Sequence, residues 1–177
     1  MIYAYIGTRP AVDPTCFVAP GARIIGDVHV GADSSVWFNT VIRGDVQPVR
    51  IGQFTNIQDG CILHVATHDG PLDIGDYVTL GHGVIAQGSQ IRSHVLVGMG
   101  AVILDYCTIE EHSVVAAGSV LVEGTHVPSG VLVAGAPART KRDLTEAEKE
   151  AIRTLAMQYV GLKNQYLQGG FAEVTET

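Results

Sequence analysis

The sequence predicts an all-β solenoid, a parallel β-helix of about seven coils, followed by one C-terminal α-helix. Three observations carry this. An aliphatic or small apolar residue recurs at every sixth position through most of the chain, Gly, Asp and Asn cluster between the recurrences, and after residue 138 the pattern becomes that of an amphipathic helix. The count runs Val12, Val18, Ile24, Val30, Val36, Ile42. It breaks over residues 44–50, resumes at Ile51, Ile57 and Leu63, breaks over 65–73, and resumes at Ile74, Leu80 and Ala86. One short step leads to Ile91, and then Val97, Ile103, Ile109, Val115, Leu121, Val127 and Val133 follow. A lone helix repeats at about 3.6 residues and a lone strand at about 2, so a period of six fits neither. Three hexapeptides close one coil of about 18 residues, and each coil stacks on the one before.

Residues 1–11 are a lead-in, with Pro10 and Pro14 marking turns. Residues 1–138 form the first unit, with the repeat beginning at Val12 and ending at Gly135-Ala136-Pro137-Ala138. Corners are expected at Gly26-Asp27, Gly31-Ala32-Asp33 and Gly75-Asp76, residues that tolerate the backbone angles of a tight bend. Cys16, Cys61 and Cys107 each lie four places after a repeat aliphatic, at a second inward position held elsewhere by Ser34, Thr55, Val78 and Ser113. They therefore read as small buried fillers rather than as disulfide partners or metal ligands.

Residues 139–177 form the second unit, a helix and tail packing on the β-helix. Thr145 and Glu148 have capping-box spacing. Ile152, Leu155, Ala156, Tyr159, Leu162 and Tyr166 make one apolar face, which packs along the solenoid or against a neighbouring subunit. Gly169-Gly170 stops the helix, and the tail from Phe171 is expected to fray.

A chain of 177 residues is long enough for one domain with a sizeable core. Hydrophobic residues make up 46%, yet Gly and charged residues interrupt every run well short of the roughly 20 needed to span a bilayer. No basic stretch followed by an apolar one opens the sequence, so the expected compartment is the cytoplasm and no membrane partner is expected. Net charge is −7 without a basic tract, which argues against a nucleic-acid backbone as partner.

The repeat also works as a ruler. Ile42, Leu63 and Ala86 fall on one face of successive coils, so the residues that follow them, Arg43, His64 and Gln87, stack outward in one column at a spacing of about 4.8 Å. His82 follows Leu80 by two places and lies on another face of its coil. In a three-sided prism that trimerises, one face's column meets the adjacent face of a neighbour. A metal would then sit between subunits, held by His64 and Gln87 of one chain and His82 of the next. His29, His94, His112 and His126 fall at outward positions without a stacked partner and read as solvated.

Arg43-Gly44-Asp45, Asn56-Ile57-Gln58-Asp59-Gly60, Leu63-His64 and Gly81-His82, at this spacing, resemble the γ-class carbonic anhydrase family of left-handed β-helix trimers. The resemblance implies a homotrimer that reversibly hydrates CO2 to bicarbonate with zinc, or alternatively iron or cobalt. By it, His64 and His82 match two metal ligands, and Arg43 and Asp45 an interface ion pair. Gln58 matches a catalytic residue that hydrogen-bonds the reacting water, and Tyr159 a residue near the bicarbonate position. The chain departs from the family at Gln87, which stands where the third histidine ligand is expected. An amide oxygen is neutral and harder than imidazole, so zinc affinity should fall. Val46 stands after Asp45, where some members carry proton-shuttling acids. His68, in the loop after His64, is a candidate auxiliary ligand or proton carrier. Two other readings share the scaffold. One is a trimer silenced by Gln87. The other is a hexapeptide acyltransferase or thioesterase with a histidine base acting on a coenzyme A thioester.

Overall fold

The computed structural model describes residues 1–171. They form a left-handed parallel β-helix of about seven coils with a single helix laid against it. One face stacks the first parts of Arg23–Val30 and Val41–Ile51, then Ile62–His64, Ile85–Gln87, Val102–Ile103 and Val120–Leu121. A second stacks the remainders of the same two long strands with Leu72–Ile74, Gln90–Ile91, Thr108–Ile109 and His126–Val127. The third stacks Phe17–Val18, Ser35–Val36, Asn56–Ile57, Thr79–Leu80, Leu96–Val97, Val114–Val115 and Val131–Gly135. Every repeat aliphatic from Ile24 to Val133 points inward and is at most 4% exposed, while Val12 and Val18 pack partly buried against that core.

The two breaks in the count have different causes. At the first, Val41–Ile51 runs unbroken from one face to the next beside Arg23–Val30, and the ladder slips between Gly26 and Val28. The expected corner at Gly26-Asp27 is thus a bend inside a strand, with Gly26 at φ +78. Gly44 is required there by space, since a Cβ would lie 2.3 Å from the Asp27 carbonyl oxygen. At the second break the chain leaves the solenoid as a loop bridged between Ala66 and Gly70.

The small inward side chains do more than fill. Ser34 donates to the Gly52 carbonyl at 2.7 Å, Thr55 to Gly75 at 2.8 Å and the Cys61 thiol to Gly81 at 3.2 Å. Each satisfies a corner carbonyl of the next coil that would otherwise be buried without a partner. Another corner repeats a left-handed residue that is not glycine. Asp33, Phe54, Tyr77, His94 and His112 have φ of 57, 56, 55, 58 and 58. The rings of Phe54, Tyr77, His94 and His112 stack with centroids 4.8, 5.0 and 4.9 Å apart. His94 and His112 therefore do have stacked partners, contrary to the sequence expectation. Equivalent corner residues of successive coils lie one rung apart, which is ring-stacking distance. Burial, and then the neighbouring His112, push the His94 imidazole below its ordinary value.

After Val131–Gly135 the chain reverses and Ala138–Asp143 pairs with it antiparallel. The helix Glu146–Gln165 starts at the expected capping box, in which Thr145 Oγ1 accepts from the Glu148 N–H at 3.3 Å and the Thr145 N–H donates to Glu148 Oε2 at 2.9 Å. Arg142 and these Thr145 bonds hold the Glu148 carboxyl down to about 2. A depressed carboxyl stabilises the fold at neutral pH, and that effect is lost progressively as pH falls from the ordinary glutamate range, about 4.3, toward this low value.

The helix packs on the third face of its own chain. Ile152 and Ala156 are buried, and Tyr159 and Tyr166 pack against Phe17, Trp37 and Phe38. Leu162, expected on this face, is exposed, and Lys163 is buried in its stead. Its ammonium donates to the Thr15 carbonyl at 2.8 Å and to Asp33 at 2.9 Å, which ties the helix to the lower coils. A wider turn, Tyr166–Gly170, ends the helix, with Gly169 at φ +91. Phe171 meets Phe38 at 5.4 Å, and the rest of the tail expected to fray lies outside the described residues.

Gly44→Ala is expected to destabilise the fold by roughly 1–3 kcal/mol, read by denaturant melting, because the backbone it faces must move. Lys163→Ala should cost about 1–3 kcal/mol and raise amide exchange in the helix above that of the coils.

Candidate metal centre

The ruler's column is present. Gln87 is paired with His64 in register, and Ile42 with Leu63 one coil below, so Arg43, His64 and Gln87 follow one another up the first face. His64 Nε2 lies 3.0 Å from Asp45 Oδ1, and the other carboxylate oxygen of Asp45 contacts Arg43. Burial pushes the Asp45 carboxyl up, but His64 and Arg43 together outweigh it and hold the group below its ordinary value. Within one chain, then, Asp45 bridges the arginine and the histidine.

His82 is elsewhere, in the turn that follows Thr79–Leu80 on the third face. Its Nδ1 lies 2.7 Å from Asp59 Oδ2, and both side chains are largely open, at 49% and 42% exposure. Gln58 is buried beside this corner, with Nε2 donating to Asn56 Oδ1 at 3.2 Å. Asn56 in turn donates to Thr79 Oγ1 at 2.8 Å. This relay uses the Gln58 amide nitrogen and leaves its Oε1 as a free acceptor. Tyr159 packs edge-on against Trp37 at 5.6 Å, and burial followed by the Asp59 charge pushes its hydroxyl up. His68 sits in the loop between Ala66 and Gly70, its carbonyl accepting from the Tyr106 hydroxyl at 2.7 Å.

The candidate residues of one chain therefore fall into two groups, two candidate half-sites. Arg43, Asp45, His64 and Gln87 lie on the first face, while Gln58, Asp59, His82 and Tyr159 lie at or beside the third. Among the described residues no group of three His, Cys, Asp or Glu side chains comes together to hold a metal. The donor chemistry nevertheless fits one. His82 is an accessible imidazole with a carboxylate beside its ring, and Gln87 offers an amide oxygen next to His64.

Asn56 and Asp59 were missed as functional residues, although both stand in the quoted Asn-Ile-Gln-Asp-Gly block. The signal was available. The step of 23 residues that joins Asn56 to Thr79 also carries His64 to Gln87 and Asp59 to His82.

No protein-family model matches the chain. Curated relatives do. A Geobacillus kaustophilus protein named carbonic anhydrase is 43% identical over 166 residues, covering 94% of this chain and 90% of that protein. The mitochondrial γ carbonic anhydrase 1 of Arabidopsis thaliana is 44% identical over 158 residues, covering 86% of this chain. The alignment spans only 58% of that plant protein's own length. Among solved structures, a hexapeptide transferase family protein from Anaplasma phagocytophilum superposes with a TM-score of 0.88 at 41% identity, over 93% of this chain and 97% of that one. The chain belongs to the γ-class carbonic anhydrase family of hexapeptide-repeat proteins. Among its described residues no helix is long and apolar enough to cross a membrane.

The cysteines stand apart from both half-sites' chemistry. All three are buried and unpaired, and burial pushes the Cys61 thiol up to about 12 and raises Cys16 and Cys107. A thiol-specific reagent at about pH 8 should leave the native protein unlabelled and label all three cysteines in denaturant.

Proposed function

We propose that the chain is a metal-dependent carbonic anhydrase that assembles as a homotrimer and reversibly hydrates CO2 to bicarbonate at sites shared between subunits. The observation that carries this is the division of ligands. His64 and Gln87 are stacked on one face, His82 stands on another with a carboxylate behind it, and neither half holds a metal by itself. A second copy of the chain supplies the missing half. The unpaired cysteines fit a reducing compartment such as the cytoplasm.

His64, Gln87 and His82 of a second copy would hold the ion, zinc or alternatively iron or cobalt. The ion supplies Lewis acidity that brings the pKa of a coordinated water to about 7. The side chains supply orientation and charge. Gln58 Oε1 accepts a hydrogen bond from the reacting water and turns an oxygen lone pair toward the CO2 carbon. Ile62 and Ile85, outward on the strands of His64 and Gln87, offer an apolar surface to the gas. Arg43 and Asp45 link the subunits around the site, and Tyr159 borders the bicarbonate. His68, on the loop beyond His64, carries the released proton to solvent.

Gln87 sets the strength of the site. A neutral amide oxygen holds zinc less well than imidazole does, so the wild type should purify with less than one zinc per chain. Gln87→His should raise zinc content and the rate of CO2 hydration together, measured by elemental analysis and stopped-flow assay. His64→Ala should lose both. A wild type with full zinc and full activity would refute the weakening assigned to Gln87, and unchanged metal in His64→Ala would remove the site. The Anaplasma neighbour, a hexapeptide transferase family protein, favours a second reading as an acyltransferase on a coenzyme A thioester. Saturable acetyl-coenzyme A binding without CO2 hydration would support it.

A further inference from the structure

Building on the shared site proposed above, we infer that Met99 of one subunit packs on Leu104 of the next. This apolar seam, one coil above the ligand residues, fixes the height at which two copies meet.

Two outward columns carry the candidate ligands. On the first face Gln87 stands over His64. Ala86 pairs with Ile103 and Ile103 with Leu121, so Leu104 and then Val122 continue that column upward. The second column is the corner that follows the third face. There the Gly83 N–H donates to the Asp59 carbonyl, the Gly100 N–H to His82 and the Gly118 N–H to Met99, each at 2.9 Å. Met99 thus stands over His82, and Ala117 over Met99.

Both columns change character at the same coil. His82 and Gln87 are the last polar members going up, and Met99 and Leu104 are the apolar ones that follow. Ala117 and Val122 keep the next coil apolar. The corner and the first-face position are five residues apart in every one of these coils, so each pair belongs to a single coil. Met99 is 58% exposed and Leu104 39%, and neither is covered by its own chain.

A closed ring of subunits is generated by rotation. A three-fold axis parallel to the stack leaves the height of every coil unchanged, so the corner of one copy meets the first-face column of the next coil for coil. Bringing His82 to Gln87 thereby brings Met99 to Leu104. A slip of one coil, about 4.8 Å, sets His82 against Leu104 or Met99 against Gln87, and buries a polar group on an apolar one. The seam therefore selects the register that completes the ligand set. Methionine suits it, since an unbranched thioether adapts to the surface it meets.

Cysteine pairs in the full-length protein read the register. A disulfide needs Cα atoms about 4.4–6.8 Å apart. Met99→Cys combined with Leu104→Cys is expected to give covalent trimers on a non-reducing gel after oxidation. Met99→Cys combined with Val122→Cys, one coil out of step, should give about tenfold less. The native thiols are buried, and the wild type run alongside sets their background. Charge reversal is the second arm, with light scattering as readout and thermal melting as folding control. Met99→Glu should weaken assembly at least about tenfold, and adding Leu104→Lys should restore it, a rescue that damage to the fold cannot give. A trimer whose in-step pair crosslinks no better than the out-of-step pair, or in which Leu104→Lys fails to rescue Met99→Glu, overturns the seam and leaves the shared site standing. A monomeric wild type overturns both. A trimer that crosslinks in step yet binds no zinc overturns the metal reading, while the seam stands.

Discussion

Backbone hydrogen bonds passed from each coil to the next are the constraint on which the molecule depends. Strands of two or three residues have no stability alone, and only the ladder above and below them makes them strands. The ladder's register is fixed because a slip by one residue would turn a buried aliphatic out to solvent along a whole face. Once the register is fixed, every side chain has a defined neighbour one rung away. The pairs that build the candidate site, His64 with Gln87, Asn56 with Thr79 and Asp59 with His82, are all neighbours of this kind.

This explains what the sequence could reveal. The repeat, the three faces, the column of Arg43, His64 and Gln87, and the capping box at Thr145 all follow from spacing along the chain. Spacing also contained the pair Asp59 and His82, passed over because Asp59 was read only as part of a motif. Other features depend on what lies across the gap between coils. Gly44 looks like any turn glycine until the Asp27 carbonyl is placed against it. Lys163 was absent from the apolar face because its partners, Thr15 and Asp33, are 148 and 130 residues away. The stacking of His94 on His112 needed the corner's left-handed backbone, which no periodicity announces.

Polar groups in this protein divide by their surroundings. Those turned into the solenoid, such as Ser34, Thr55 and the three thiols, answer carbonyl groups of the adjoining coil and are spent on the fold. Those turned outward at the two half-sites are tied on one side and open on the other. His82 and Asp59 remain accessible, and His64 is only half-buried. In the proposed assembly, burying them against a second copy would remove water from both histidine–carboxylate contacts at once and strengthen the electrostatics there. In that proposal assembly and metal binding are linked, since each lowers the cost of the other.

The return strand Ala138–Asp143 has a consequence for how far such a stack can grow. A parallel solenoid ends in an open edge that would accept another strand running the same way, the template for end-to-end fibres. On the helix-bearing face that edge is occupied by a strand of opposite direction, carrying Arg139, Lys141, Arg142 and Asp143. Another solenoid arriving from above meets reversed polarity and fixed charge on that face. On that face the chain thus carries its own stop to further stacking, placed where the repeat runs out.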